Sequence, residues 1–146
     1  LARSQDVAEA YMGKLFEQYG RIPASPIRDG LSLRSPPACG DLDGDGLRDC
    51  VVLWHGNIKA GDGDYARPDC WGAPSVAVAV LADGNSAVYF QREVKTPECS
   101  AIYIAGILPM ADGGRLVVIP SSYTGYPTDL VDFSSHPPRR VARFID

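Results

Sequence analysis

The feature that most restricts how this chain can fold is the acidic segment DLDGDGLRD at positions 41–49. Aspartates occupy positions 1, 3, 5 and 9 of this segment, and glycines occupy positions 4 and 6. Alternate spacing turns carboxylates toward one point, where Ca²⁺ can find the roughly six to eight oxygen ligands it prefers. Glycine supplies the backbone freedom that a loop reversal needs. The pattern predicts a Ca²⁺ loop with ligands from Asp41, Asp43, Asp45 and Asp49 and from the backbone carbonyl of Leu47.

A Ca²⁺ loop of this length could belong to an EF-hand or to a β-protein. An EF-hand needs a bidentate glutamate at its last position and a helix after it. Here that position is Val52, and CVVLW (50–54) has the composition of a strand. The alternative to any metal loop is an acidic surface turn, in which four aspartates would repel one another.

The segment resembles the FG-GAP or VCBS-type calcium loop of extracellular β-proteins, where G-D-x-(D/N)-x-D-G-x-x-D runs directly into a strand. The matching residues are Gly40, Asp41, Asp43, Asp45, Gly46 and Asp49. The resemblance covers residues 40–50 only and occurs once. It implies a hairpin held by Ca²⁺, and it implies neither a propeller nor an activity.

The cysteines indicate disulfides and an oxidising compartment. Cys39, Cys50, Cys70 and Cys99 form no C-x-x-C pair, and the two histidines have no zinc-like spacing. Four cysteines permit three pairings. Strands that enter and leave a hairpin-like loop bring their side chains together, so we predict Cys39–Cys50 and, by remainder, Cys70–Cys99. Two disulfides indicate an exported protein.

Several further features fit a periplasmic or secreted protein. The chain starts at Leu1 without an initiating methionine or a signal-like segment. We interpret it as a mature form whose export signal has been removed. It has no apolar run long enough to span a membrane. The formal charge of −4 and the absence of a basic face argue against a nucleic-acid partner, and Arg139, Arg140 and Arg143 are interpreted as a solvated strand edge.

The fold class predicted is α+β, with an N-terminal helix packed on a mainly antiparallel β-sheet or a two-sheet β structure. A length of 146 residues predicts a single domain, 1–146. Apolar residues recur at helical spacing over 4–19, with Ser4 as N-cap and Gly20 at the C-terminal end. Strands are expected at 31–34, 50–54, 76–82, 86–94, 101–108, 115–119 and 140–145, with turns at Asp83-Gly84-Asn85 and Asp112-Gly113-Gly114.

Catalysis is not expected from the sequence. No serine lies in a nucleophile-elbow motif such as G-x-S-x-G, His55 follows Trp54 at the end of a strand, and His136 lies in a Ser-Ser-His-Pro-Pro turn. Tertiary proximity could still assemble a Ser/His/Asp set, in which case turnover would depend on His55 or His136. A second acidic group, Asp62, Asp64 and Asp69, lacks a full ligand set and is expected in an exposed loop.

The segment PSSYTGYP (120–127) has the composition of a recognition loop. Tyrosine gives rigid amphipathic contact area, while serine, threonine and glycine give adaptable hydrogen bonds. Prolines at both ends reduce the entropy lost on docking. The predicted partner-binding residues are Ser121, Ser122, Tyr123, Thr124 and Tyr126, and an ordinary turn is the alternative.

In size, helix-plus-sheet layout and serine-rich loop, the chain resembles the periplasmic immunity proteins that neutralise peptidoglycan-cleaving amidase effectors of type VI secretion. The resemblance implies a calcium-binding inhibitor whose partner is such an amidase. Ser121 or Ser122 would then enter the effector's cleft and engage its catalytic Cys/His pair without being cleaved. The competing hypothesis is a calcium-dependent carbohydrate or cell-wall binding module. We expect the Ca²⁺ to be structural.

Overall fold

The computed structural model describes residues 2–18, 22–23, 25–33, 35–56, 75–90, 102–121 and 127–145. Its elements are helix α1 (Ala2–Gln18), a 3₁₀ turn (Ile27–Gly30), and strands β1 (Leu31–Leu33), β2 (Ala38–Gly40), β3 (Asp49–Gly56), β4 (Ser75–Val80), β5 (Ser86–Phe90), β6 (Gly106–Pro109), β7 (Arg115–Ile119), β8 (Pro127–Asp132) and β9 (Arg139–Ile145). Among these elements, no helix has the length and hydrophobicity that crossing a membrane requires.

The strands form two antiparallel sheets. In the first sheet β3 pairs with β4 and β4 with β5, while β1 and β2 both pair with β3 on its other side. The second sheet has the order β6-β7-β8-β9. The expected α+β class, with one N-terminal helix and antiparallel sheets, is therefore confirmed.

The first sheet lies between α1 and the second sheet, which explains its sequence. Both faces of β3 and β4 are covered, so these strands are nearly continuous apolar runs without polar alternation. Toward the helix, Val52, Trp54, Val76, Val78 and Phe90 pack against Ala8, Met12, Leu15 and Phe16. Toward the second sheet, residues such as Leu53 and Ala77 pack against Val117, Val131 and Phe133.

A buried polar contact joins the two sheets. Asp129 of β8 is fully buried and accepts hydrogen bonds from Nε and Nη2 of Arg143, at 2.7 and 3.0 Å. The hydroxyl of Tyr89, on β5 of the first sheet, donates to the same carboxylate. Burial, followed by this hydrogen bond, raises the pKa of Tyr89 well above its usual value. Arg143 is thus held inside a network, and the interpretation of all three arginines as solvated was wrong for this one.

The helix and most strands lie where the sequence predicts them, with corrections at their ends. Helix α1 begins at Ala2, so Ser4 is not its N-cap. Ser4 is buried and accepts a hydrogen bond of 3.0 Å from Trp54 Nε1, which ties the helix to β3. Gly20 and the chain beyond Phe90 in the predicted strand 86–94 lie outside the described residues.

The strands predicted for the second sheet differ from the structure more than those predicted for the first. The strand expected at 101–108 is confined to Gly106–Pro109, while Ile102 makes an isolated bridge to Ser121. Strand β8 was not predicted at all. Both hairpin turns are confirmed, and Gly84 and Gly113 have φ of +96° and +88°, a conformation that favours glycine.

Candidate metal site

The acidic segment is the connection of a disulfide-linked hairpin. Strands β2 and β3 pair with Cys39 opposite Cys50 and Gly40 opposite Asp49. Cys39 and Cys50 form a disulfide, with their Cα atoms 4.1 Å apart. This confirms the first predicted pairing, whereas Cys70 and Cys99 lie outside the described residues. The loop ends are therefore fixed by both backbone and covalent links.

The four aspartates converge as their spacing predicts. One carboxylate oxygen from each of Asp41, Asp43, Asp45 and Asp49 lies within 4.8 Å of the others. The reversal depends on Gly44 and Gly46, which both have φ of +81°. A Cβ at either glycine would meet no atom within 4 Å, so conformation and not space requires glycine there. The cluster is an arrangement of hard oxygen donors that could hold a metal ion.

Backbone amides of the loop hold the carboxylates of Asp41 and Asp45 in place. Asp41 accepts hydrogen bonds of 2.9 Å from the amides of Gly44 and Gly46, one to each oxygen. Asp45 Oδ1 accepts from the amide of Leu47 at 2.8 Å. These bonds fix the loop conformation within the chain itself. The side chain of Leu47 is exposed, and its role as a carbonyl ligand stays a prediction.

Asp49 differs from the other three because it is fully buried. Its Oδ2 accepts a hydrogen bond from the amide of Leu42, and its Oδ1 accepts one from the amide of Ala82, both at 2.8 Å. Ala82 follows β4, so Asp49 connects the loop to the neighbouring hairpin. The sequence predicts Asp49 as a metal ligand, and this stays a prediction. Its contact with Ala82, 33 residues away, has no local signal in the sequence.

The surroundings of the loop carboxyl groups shift the pKa of two of them in opposite directions. Hydrogen bonds from the amides of Gly46 and then Gly44 lower the pKa of Asp41. Desolvation raises the pKa of Asp43 to about 6, and its side-chain hydrogen bond with Asp45 adds to this shift. A proton is therefore retained more easily on Asp43 than on an ordinary aspartate. A cation that binds the loop must compete with that proton.

Removing the disulfide by the double substitution C39S/C50S should lower the free energy of unfolding by about 2–3 kcal/mol, because the unfolded chain regains the entropy of an open loop. Urea denaturation monitored by circular dichroism measures this difference. The Asp41 carboxylate bonds to Gly44 and Gly46 should survive in the folded variant, since they do not involve sulfur. A variant as stable as the parent protein would contradict this prediction.

The two histidines, which the sequence analysis considered for catalysis, both lie among the described residues. His55 Nδ1 lies 2.8 Å from Ser75 Oγ across the β3–β4 ladder. Ser75 is fully buried, so this contact supports strand pairing and offers no accessible hydroxyl. His136 lies exposed in the turn between β8 and β9. The prediction that the protein is not an enzyme stays a prediction.

The predicted partner loop is described at its two ends. Ser121 makes an antiparallel bridge with Ile102, and Pro127 begins β8. Ser122, Tyr123, Thr124 and Tyr126 lie outside the described residues, as does the second acidic group Asp62, Asp64 and Asp69. The segment connects β7 to β8, two paired strands of the second sheet.

No protein-family model matches the chain, and no curated protein or solved structure matches it at a significant level.

Proposed function

We propose that residues 41–49 bind one Ca²⁺ ion and that this ion stabilises the β2–β3 hairpin. The convergence of four carboxylates within 4.8 Å supports the proposal. Oxygen-only donors favour hard cations over Zn²⁺ or Cu²⁺, which prefer imidazole and thiolate ligands. Mg²⁺ loses its water reluctantly and seldom occupies sites made mainly of protein oxygens, so Ca²⁺ is the better fit.

Isothermal titration of the metal-free protein with CaCl₂ tests this proposal. We expect one ion per chain and at least about a tenfold weaker affinity for D43N, because a ligand charge is lost. The matched control is D83N, since Asp83 is an exposed turn aspartate that hydrogen-bonds the Asn85 amide in the β4–β5 hairpin. Absence of binding at millimolar Ca²⁺, or equal weakening in both variants, would refute a specific site.

Calcium affinity should fall as the pH falls through the pKa of Asp43. That pKa is raised to about 6, so the proton and the cation compete in the weakly acidic range. At pH 5 Asp43 is mostly protonated, and we expect about a tenfold weaker affinity than at pH 7. Titrations at both pH values measure the difference, and D43N should show a smaller one.

We propose further that the protein is an exported inhibitor, an immunity protein that occludes the cleft of a peptidoglycan amidase through the 120–127 segment. The β-sheet framework supports this role. Strands β7 and β8 pair up to Ile119 and Asp129, close to both ends of the segment. Because both ends of the segment are fixed by strand pairing, less entropy is lost on docking than for a free chain end, which favours affinity.

The described ends of this segment, Ser121 and Pro127, lie at the opposite end of β7 and β8 from the acidic loop. The acidic loop borders a cleft that includes Arg115, at the start of β7, whereas the 120–127 segment follows the end of β7. Calcium would therefore stabilise the scaffold without touching the partner. Chelation should lower the melting temperature more than it weakens inhibition at low temperature.

Inhibition of a purified peptidoglycan amidase that the immobilised protein retains from periplasmic extract tests the inhibitory role. We expect inhibition near equimolar protein, and its loss in the S121A/S122A/Y123A variant. S32A, a change at an exposed serine on β1, is the control. If the triple variant inhibits as well as the parent protein, the segment is not the inhibitory site. If cell-wall glycan is retained and no amidase is, the carbohydrate-binding hypothesis replaces inhibition.

A further inference from the structure

A cleft of about 520 Å³ lies between the acidic loop and the nearby end of the second sheet. One wall is the loop itself, through Asp41 and Asp43. The other is formed by the β6–β7 turn and by the paired ends of β8 and β9. The three segments are far apart in the sequence, so the cleft exists only because the two sheets pack together.

The cleft contains two guanidinium groups that form no direct ion pair with any described residue. Arg115 begins β7 and Arg139 begins β9, and both line the cleft. Among the described residues neither arginine forms an ion pair, in contrast to Arg28 and Arg143. Strand β8 separates β7 from β9, so the two arginine backbones stand roughly 10 Å apart, about two strand spacings.

The rest of the lining supplies acceptors and small apolar contacts. Asp112 and Asp132 add two carboxylates to those of Asp41 and Asp43. Asp132 Oδ1 is engaged by the amide and hydroxyl of Ser134, at 2.9 and 2.6 Å. Met110 and Val141 line the same space, with 41% and 44% of their surfaces exposed. Donors, acceptors and apolar surface are thus interleaved.

We propose that this cleft binds a neutral oligosaccharide. A hydroxyl group both donates and accepts, so it can satisfy carboxylates and guanidinium groups together. An anionic ligand would face four carboxylates, and a cationic ligand would face two guanidinium groups. With a divalent cation in the loop, the four loop aspartates, Asp112, Asp132 and the two arginines together carry a formal charge of −2 instead of −4, which still disfavours an anionic ligand. This reduction in charge rests on the proposed Ca²⁺, whereas the placement of the two arginines does not.

The site is separate from the proposed inhibitory segment, which follows the other end of β7. Met110 and Val141 can contact the apolar C–H faces of a sugar, while the polar groups contact its edges. The separation of Arg115 and Arg139 suits a ligand longer than one sugar ring. An open polar cleft of this kind favours weak binding, with dissociation constants near the millimolar range.

The test is titration of the ¹⁵N-labelled protein, in CaCl₂ and again in EDTA, with chitotetraose, cellotetraose, maltotetraose and the acidic tetragalacturonate. We expect a neutral tetrasaccharide to shift the amide resonances of Arg115, Asp132 and Arg139. The R115Q/R139Q variant should bind it at least about tenfold more weakly. R3Q is the control, because Arg3 is an exposed helix residue outside the lining.

Three results would overturn the proposal. Binding of none of the neutral tetrasaccharides at about 10 mM, binding of tetragalacturonate alone, or equal affinity of R115Q/R139Q and R3Q would exclude a neutral-sugar site here. The Ca²⁺ titration is read separately on the same samples. Sugar binding that persists in EDTA and depends on the arginines would leave the cleft intact even if the Ca²⁺ proposal failed.

Discussion

Removal of the Ca²⁺ ion that we propose for residues 41–49 should lower the melting temperature of the protein by roughly 10–15 °C. For a dissociation constant near 1 µM and about 1 mM Ca²⁺, mass action contributes about 4 kcal/mol to stability. For a chain of this size each kcal/mol shifts the midpoint by about 3–4 °C. The shift requires only that the unfolded chain, in which the four loop carboxylates no longer converge on one point, binds the ion much more weakly.

Calorimetry in CaCl₂, in MgCl₂ and in EDTA measures this effect. The D43N variant provides a second test, because its change in unfolding temperature relative to the parent protein should have opposite signs in EDTA and in CaCl₂. In EDTA it removes one of four converging charges and should unfold at a slightly higher temperature than the parent protein. In CaCl₂ it lacks a ligand and should unfold at a lower temperature. Equal midpoints for the parent protein in CaCl₂ and EDTA would show that the loop is only an acidic turn.

The substitution D129A should cost about 3–5 kcal/mol of unfolding free energy, because it leaves a guanidinium group and a phenol hydroxyl without their common acceptor. The lower end of this range is expected, since the side chain of Arg143 keeps 16% of its surface exposed. The melting temperature should fall by roughly 10 °C. Because Tyr89 and Asp129 belong to different sheets, the substitution weakens the contact between layers.

Double-mutant cycles divide this free-energy cost among the three residues of the network. They require urea denaturation of D129A, Y89F and R143M, singly and in pairs. Directly bonded residues should show coupling energies of about 0.5–3 kcal/mol. T128A, at a half-buried position on the same strand, controls for the general sensitivity of β8 to truncation. If D129A destabilises the protein no more than T128A does, the network contributes nothing to stability.

The features that the sequence determined by itself are local ones. The alternate aspartates and the two glycines prescribe the loop, because side-chain direction alternates over neighbouring residues and φ above zero favours glycine. The disulfide between Cys39 and Cys50 follows from the same hairpin. The helix was found by its repeating apolar face, and two strand turns were found by Asp-Gly. Each of these signals is contained within a few residues.

Strand β8 shows why other features were missed. Its sequence, PTDLVD, contains proline and aspartate, which are depleted in strands. Its inward positions are Pro127, Asp129 and Val131, so the expected alternation of apolar and polar residues fails at the centre. Asp129 can face inward only because Arg143 and Tyr89 supply its hydrogen bonds. A strand whose buried residue is charged is recognisable only with its partners present.

The tertiary structure alone decided which distant groups meet. Asp49 is a loop carboxylate in the sequence, but packing places it against the amide of Ala82. Serine is a common helix N-cap, but Ser4 is buried and accepts a hydrogen bond from Trp54 Nε1. The cleft between Asp41 and Arg115 arises from the contact of two sheets. Spacing along the chain encodes local geometry, whereas these contacts depend on how separately formed layers pack, and no short segment carries that information.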